Sequence, residues 1–96
     1  MNNYELMFII EAALEQEKKD ATIETVKGII TAGGGEVSKV DVWGNRRLAY
    51  PIQKKNDGFY VVVTFTAGPE LPKELDRRLK ISDVIIRHMI INNDDK

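Results

Sequence analysis

The sequence predicts an α+β fold in which two helices cover one face of a four-stranded antiparallel sheet. The first observation is the order of patterns along the chain, which is strand, helix, strand, strand, helix, strand. The second is a length of 96 residues of which 43% are apolar, which suits a single domain with one hydrophobic core over residues 1–96. This order is the split β-α-β, or ferredoxin-like, arrangement (βαββαβ).

The first third of the chain predicts a central strand and a long helix. Residues 4–10 are aromatic or branched almost throughout, as in a strand with neighbours on both sides. Residues 14–32 follow with branched residues at the spacing of one buried helical stripe. These are Ile23, Val26, Ile29 and Ile30. The glycines at 33–35 predict a C-terminal cap and turn, because phosphate-binding glycine loops precede a helix instead of following one.

The middle of the chain predicts two strands joined as a hairpin. Residues 36–43 alternate apolar and polar side chains, but the phase slips by one between Val37 and Val40, which predicts a β-bulge. Residues 56–58 (Asn-Asp-Gly) are a turn sequence and predict the hairpin loop. Residues 59–66 predict the third strand.

A short helix and a fourth strand complete the order. The leucines at 71, 75 and 79 recur at every fourth position, and the basic residues at 77, 78 and 80 lie near the negative end of that helix. Residues 84–91 predict the fourth strand, and residues 92–96 form a polar tail. One face of the sheet is left without helices. Apolar residues expected on that open face are Met7, Ile9, Val62, Ile85 and Met89. A contiguous patch of them would favour a protein partner, whereas scattered ones would be ordinary for a half-solvated sheet.

The basic stretch lies between the second and third strands, at residues 44–55 (Gly-Asn-Arg-Arg-Leu-Ala-Tyr-Pro-Ile-Gln-Lys-Lys). It contains four cations and no acid. When its apolar side chains pack inwards, its cations face outwards, which favours contact with a phosphate backbone. The alternative is a solvated hairpin whose charges only keep it soluble. Trp43, beside Gly44, is predicted to anchor the point where the strand becomes the basic stretch, with a stacking role as the alternative.

Charge is unevenly distributed, although the formal net charge is −1. Residues 1–36 contain seven acids and three bases, a net charge of −4, and residues 37–91 contain ten bases and six acids, a net charge of +4. With a pI of about 5.8, the chain has no overall attraction for phosphate. Any binding to a nucleic acid must come from a local patch, and we expect it to be weak for this chain alone.

Residue types required for several other functions are missing. Zero cysteines exclude a disulfide framework and a thiolate metal site, and the single histidine, His88, is predicted to be a partly buried structural residue. Residues 1–25 contain neither a basic leader nor an apolar run of about 18 residues, so we expect a cytoplasmic protein without a membrane segment. No cofactor, metal or small-molecule substrate is predicted.

Two other protein classes share this element order. RNA-recognition motif domains need aromatic side chains at set positions of the third strand, and residues 57–64 match that pattern only in part. Acylphosphatases need a phosphate-binding loop with an arginine after the first strand, where this chain has Glu11 and Glu15. We therefore expect neither base stacking of the RNA-recognition motif type nor an enzyme.

The basic stretch, the Tyr4-Glu5 start and residues 86–89 (Ile-Arg-His-Met) resemble the bacterial small-subunit ribosomal protein six family over nearly the whole chain. The resemblance implies a non-enzymatic component of the small ribosomal subunit. It also implies pairing with small-subunit ribosomal protein eighteen and joint docking on the central domain, or platform, of the small-subunit ribosomal RNA. The short C-terminal tail departs from longer tails in the family, and His88 stands where a small or apolar residue is expected.

Charge and resemblance together predict cooperative binding. A nearly neutral chain with one basic stretch gains phosphate contacts from a basic partner, and the pair loses association entropy once when it docks as a unit. The residues predicted to contact RNA or the partner are Arg46, Arg47, Lys54, Lys55 and Arg87. Those predicted to position the basic stretch are Leu48, Tyr50 and Ile52. The alternative function is a free-standing interaction module that pairs through its open sheet or an edge strand and binds no RNA.

Overall fold

The predicted order of elements is present in the structure. The structure, a computed structural model, describes residues 2–52 and 55–93, and of residues 47–52 and 55–56 it describes only the backbone. The elements are β1 (Asn2–Glu11), α1 (Gln16–Ala32), β2 (Glu36–Ile52), β3 (Lys55–Ala67), α2 (Leu71–Lys80) and β4 (Ile85–Asn92). All paired strands are antiparallel, in the spatial order β2-β3-β1-β4. The predicted βαββαβ fold is confirmed, and β1 lies inside the sheet as its apolar run predicted.

One hydrophobic core fills the space between the sheet and the two helices. Alternate residues of the central strands face it because side chains in a strand point to opposite faces in turn. These residues are Tyr4, Leu6, Phe8 and Ile10 of β1, and Phe59, Val61, Val63 and Phe65 of β3. The helices contribute the stripes predicted from their spacing, with Ile29 only partly buried. The fully packed helical residues are Ile23, Val26, Ile30, Leu71, Leu75 and Leu79.

The glycines at 33–35 cap α1, as predicted. The Gly33 and Gly35 amides donate to the carbonyls of Ile29 and Ile30, at 3.1 and 2.9 Å, and Gly34 has a φ of 85°. That left-handed conformation favours a glycine at the end of a helix. The start of α1 was predicted too early: residues 11–14 form a turn in which the Leu14 amide donates to the Glu11 carbonyl, and the helix begins at Gln16.

The position of the hairpin turn was predicted wrongly. Residues 56–58 lie within β3, and the last described pair of the β2–β3 ladder is Ile52 with Lys55. The Asn-Asp-Gly sequence is overridden because strand pairing continues past it, with Arg46 opposite Gly58 and Arg47 opposite Asp57. The described part of the basic stretch therefore belongs to the extension of β2 and the beginning of β3. The sequence pattern had predicted that the second strand ends at residue 43.

Of the four register shifts in the described sheet, three determine which way residues near the core and the open face point, and the fourth lies between Arg47 and Ile52. The register of β2 shifts between Val37 and Lys39, which confirms the predicted bulge, and shifts again between Val42 and Gly44. On β4 the register with β1 shifts between Ile9 and Ile10, so that Arg87 is opposite Ile9 but Ile85 is opposite Ile10. Ile85 consequently packs against the core, and its expected place on the open face was wrong.

The predicted polar tail is partly ordered into the sheet. Asn92 is the last residue of β4, and the Asn93 amide donates to the Asn3 carbonyl at 2.9 Å. Residues 94–96 lie outside the described residues. Across the described ranges, neither helix has the length and apolar character needed to span a membrane.

Candidate nucleic-acid interface

The basic stretch forms a two-stranded arm, residues 47–57, because β2 and β3 both outrun β1. The last residue of β1, Glu11, is opposite Gly58, and beyond that row β2 and β3 pair only with each other. A two-stranded ribbon with no third strand is only marginally stable by itself. Such a ribbon suits contact with a partner.

Two of the predicted cations lie on the open face of the sheet, at the end from which the arm extends. Arg46 is opposite Gly58 and Arg87 is opposite Ile9, and both side chains are exposed. Gly58 and Ile9 belong to adjacent rows of the sheet, with Tyr60 next to Ile9. Arg46 and Arg87, which are far apart in the sequence, thus share one face of the sheet and lie at its two opposite edges.

The remaining predicted site residues fall in the part of the chain where side chains are not described. The backbone of Arg47 is paired with Asp57 and that of Lys55 with Ile52. Lys54 lies outside the described residues altogether. The positioning roles of Leu48, Tyr50 and Ile52, and the contacts of Arg47, Lys54 and Lys55, therefore stay predictions.

The open face has an apolar centre. Ile9 and Val62 are only 3% and 7% exposed although no helix covers them, because neighbouring side chains on the same face shield them. Around them Met89 and Ile91 of β4 are 44% and 43% exposed. Met7 is opposite both Val62 and Met89, so the apolar residues are contiguous. Contiguous exposed apolar surface on a sheet indicates a protein contact more than a solvated face.

Trp43 and Tyr60 form a stacked pair that the sequence analysis did not identify. Their ring centroids are 6.3 Å apart with an angle of 8° between the planes, and the Trp43 Nε1 donates to Asp41 Oδ2 at 3.2 Å. The anchoring role predicted for Trp43 stays a prediction, and these two contacts fix its ring beside the arm. The contact between Trp43 and Tyr60 depends on the second bulge of β2. The Trp-Gly pair at residues 43 and 44 was the only signal for that bulge in the sequence.

A second missed residue is Lys19. Its side chain is buried at the first turns of α1, with Nζ 4.7 Å from the centroid of the Phe59 ring. A cation over an aromatic face offsets part of the cost of removing the ammonium group from water. Lys19 therefore supports the strand that leads into the arm, and it is not part of the exposed cationic surface.

His88 is a partly buried structural residue, as predicted. It lies on the helix side of β4, opposite Phe8, and its Nε2 donates to Asp76 Oδ1 at 2.6 Å. The Lys80 Nζ lies 3.0 Å from the other Asp76 oxygen. Hydrogen bonding from His88, and then from Lys80, lowers the pKa of Asp76 below its usual value. This cluster links α2 to β4 and supplies no metal site.

The cations of α2 are held by an acid of their own helix. Glu74 accepts hydrogen bonds from Arg77 at 2.6 Å and from Arg78 at 3.1 Å. Those two bonds, the first the larger, lower the pKa of Glu74 to about 2. Exposed pairs of this kind add little stability, but they neutralise positive charge. Arg77 and Arg78 are therefore weaker candidates for phosphate binding than arginines without an acidic neighbour would be.

Several known proteins are similar to this chain over almost its whole length. The family model described as Ribosomal protein S6 matches residues 3–92. The small ribosomal subunit protein bS6 of Clostridium acetobutylicum is 53% identical over 92 residues, which cover 96% of this chain and 97% of that protein. The bS6 protein of Alkaliphilus oremlandii is 53% identical over 91 residues, covering 95% of this chain and 96% of that protein.

A solved structure shows the same fold. The crystal structure of 30S ribosomal protein S6 from Thermotoga maritima superposes with a TM-score of 0.93 at 34% identity, covering 98% of this chain and 89% of that one. The family is structural and not enzymatic. The chain therefore belongs to the ribosomal protein S6 family, the structural constituents of the bacterial small ribosomal subunit in the cytoplasm.

Proposed function

We propose that this chain binds the central domain of small-subunit ribosomal RNA cooperatively with small-subunit ribosomal protein eighteen, as a structural part of the platform. The observation that supports the proposal most is the arm: β2 and β3 extend past β1 with Arg46 at its base and Arg47 opposite Asp57. Backbone phosphates are the ligands that a ribbon with arginine and lysine side chains fits, since the guanidinium group donates two parallel hydrogen bonds to phosphate oxygens.

The RNA contact runs from the arm onto the adjoining end of the open face. Arg46 and Arg87 lie at that end, and Arg47, Lys54 and Lys55 follow along the arm. Leu48, Tyr50 and Ile52 position the arm. A few cations in a chain with a net charge of −1 neutralise few phosphates, so the RNA affinity of the chain alone is low.

The protein partner packs on the apolar part of the open face. Met7, Met89 and Ile91 lie there beside the shielded Ile9 and Val62. Burying this patch supplies association free energy that requires no charge, while a basic partner supplies further phosphate contacts to the RNA. The division of labour explains why the two proteins would bind RNA as a pair.

A paired substitution tests the RNA contact. Arg46→Ala with Arg47→Ala is compared with Arg77→Ala with Arg78→Ala, two consecutive arginines that lie on α2 and contact Glu74. RNA affinity of the two-protein complex is measured at several salt concentrations. The first pair lowers the affinity and makes the salt dependence shallower, by about 0.7 to 0.9 in the logarithmic slope for each lost phosphate contact, and the second pair leaves both nearly unchanged. Equal effects of the two pairs would contradict the assignment.

A further inference from the structure

A shallow pocket of about 490 Å³ lies on the open face where the arm begins, and it is lined by Trp43, Arg46 and Tyr60. Two planar aromatic rings and one guanidinium group thus surround a single concave surface. Trp43 is 46% exposed, so the indole is accessible from solvent. This combination differs from the apolar centre of the same face.

Two glycines beside the pocket leave that part of the face without side chains. On this part of the face, Gly44 is opposite Tyr60 and Arg46 is opposite Gly58. The two positions on one diagonal have long side chains, and the two on the other diagonal have none. Gly44 has a φ of 83°, and a Cβ added there would meet no atom within 4 Å, so the space above it is open. The bulge at Trp43 directs the indole to the edge of that space.

The aromatic rings are held in place before any ligand arrives. Trp43 Nε1 donates to Asp41 Oδ2 at 3.2 Å, and the indole lies at 8° to the Tyr60 ring. A side chain fixed by two contacts loses little rotamer freedom when a ligand stacks on it. The pocket is therefore preorganised for a flat ligand.

We propose that this pocket binds one unpaired nucleotide of RNA, with the base stacked against the Trp43–Tyr60 pair and a phosphate of the same strand on Arg46. The inference rests on the proposed function and extends it from phosphate contact to recognition of an unpaired base. Unpaired bases are the part of RNA that proteins bind by aromatic stacking, and arginine is the preferred phosphate ligand.

The chemistry of the rim favours a nucleotide over a protein segment. Arg46 would repel a basic partner protein at this point, whereas it attracts a phosphate. The pocket also adjoins the arm, to which the RNA contacts Arg47, Lys54 and Lys55 are assigned, whereas Met89 and Ile91 lie on β4 at the opposite edge of the sheet. The nucleotide site and the apolar partner site thus occupy different halves of one face.

Trp43 is the only tryptophan of the chain, so its fluorescence reports directly on this pocket. The full-length protein, with ribosomal protein eighteen, is titrated with a central-domain fragment of small-subunit ribosomal RNA. The same assembly made with Trp43→Phe supplies the background emission of the partner. Quenching of the difference signal, at the RNA concentration that saturates binding, is expected, because a stacked base quenches an indole.

Affinity measurements with three variants complete the test. Trp43→Leu is expected to weaken RNA binding of the two-protein complex by about fivefold to a hundredfold, the range for losing one base-aromatic stack, with no change in the salt slope. Tyr60→Leu removes the ring that stacks with Trp43 and is expected to weaken RNA binding in the same direction. Ile81→Ala, a truncation of an apolar residue that is 72% exposed at the end of α2, is the matched control and is expected to have no effect.

The outcomes separate this inference from the proposed function. Native affinity of Trp43→Leu, or unchanged Trp43 emission in a saturated complex, overturns the nucleotide pocket and leaves the RNA-binding function intact. Weaker pairing of Trp43→Leu with ribosomal protein eighteen in the absence of RNA assigns the pocket to the protein partner and also overturns the inference. Failure of the native pair to bind the RNA at all refutes both proposals.

Discussion

Replacing Arg46 and Arg87 with alanine, singly and together, tests whether the open face contacts RNA phosphates at two independent points. The strand order places Arg46 on β2 and Arg87 on β4, at opposite edges of the sheet. Three strand spacings of about 4.8 Å and an offset of two residues separate their Cα atoms by about 16 Å. The Debye length at 0.15 M salt is about 8 Å, so each arginine acts on its own phosphate.

The expected magnitude follows from counterion release. Each phosphate contact that is lost makes the logarithmic salt slope shallower by about 0.7 to 0.9. When the slope changes by about 0.9, the ratio of the RNA affinity at 50 mM salt to the RNA affinity at 200 mM salt changes by about 3.5-fold. The double variant is expected to change that ratio by about twelvefold, the product of two equal independent losses.

The assay is equilibrium binding of the central-domain RNA fragment to the protein pair, by filter retention or fluorescence anisotropy, at four or more salt concentrations. Thermal unfolding of each variant checks that the fold is retained, which we expect since both side chains are exposed. If either single variant changes the salt slope as much as the double variant does, the two contacts are not independent and the reasoning is refuted. It is also refuted if Arg87→Ala leaves the salt slope unchanged.

Three further predictions concern stability and pairing. Hydrogen bonding lowers the pKa of Asp76 in the folded state, so its ionised form stabilises the fold above the usual pKa of 3.8. This contribution is lost as the pH falls through the lowered pKa. Urea unfolding should therefore show a smaller loss of stability below pH 3.8 for Asp76→Asn than for the native chain. Gly34→Ala, at a φ of 85°, should lower the unfolding free energy by about 1 kcal/mol, whereas Gly28→Ala, inside α1 with open space around its Cβ, should raise it by about 0.5 to 1 kcal/mol, and a gain at both sites would contradict the conformational argument. Met89→Lys places a charge in the apolar part of the open face and should weaken pairing with ribosomal protein eighteen at least tenfold in a titration without RNA, while the melting temperature changes little; unchanged pairing would remove the open face from the partner interface.

Most of the fold could be predicted from the sequence because its local and long-range signals agree. The leucines at 71, 75 and 79 are four residues apart, so they lie on one face of a helix. The apolar run of β1 fits only a strand with neighbours on both sides. The slip between Val37 and Val40 located a real bulge because a half-buried strand must keep its apolar residues on one side. The family membership rested on the basic stretch, whose residue types are specific over a dozen positions.

Two of the errors share one physical cause, which is cross-strand pairing that no local pattern encodes. Residues 56–58 have turn-forming side chains, yet the ladder to β2 continues through them to Ile52 and Lys55. Ile85 was assigned to the wrong face because a register shift beside Ile10 inverts the alternation of β4. In both cases backbone hydrogen bonds to a distant segment outweigh the preference of a few residues.

The candidate site, like the fold, could be predicted only in part from the sequence. Arg46 could be identified from the density of cations around it, but its proximity to Trp43 and Tyr60 depends on the bulge at Gly44 and on the register with β3. Lys19 was not identified from the sequence because its contact with Phe59 is made across elements. Residue types predicted the kind of ligand, and the sheet register determined which of those residues share a surface.

The measurement that tests the central claim most directly is binding of this protein to a central-domain fragment of small-subunit ribosomal RNA, with and without ribosomal protein eighteen, over a range of salt concentrations. The proposal predicts weak binding by the chain alone and tight, salt-sensitive binding when both proteins are present. Equal affinity with and without the partner, or no binding by the pair to RNA and partner that are shown to be folded, would contradict it.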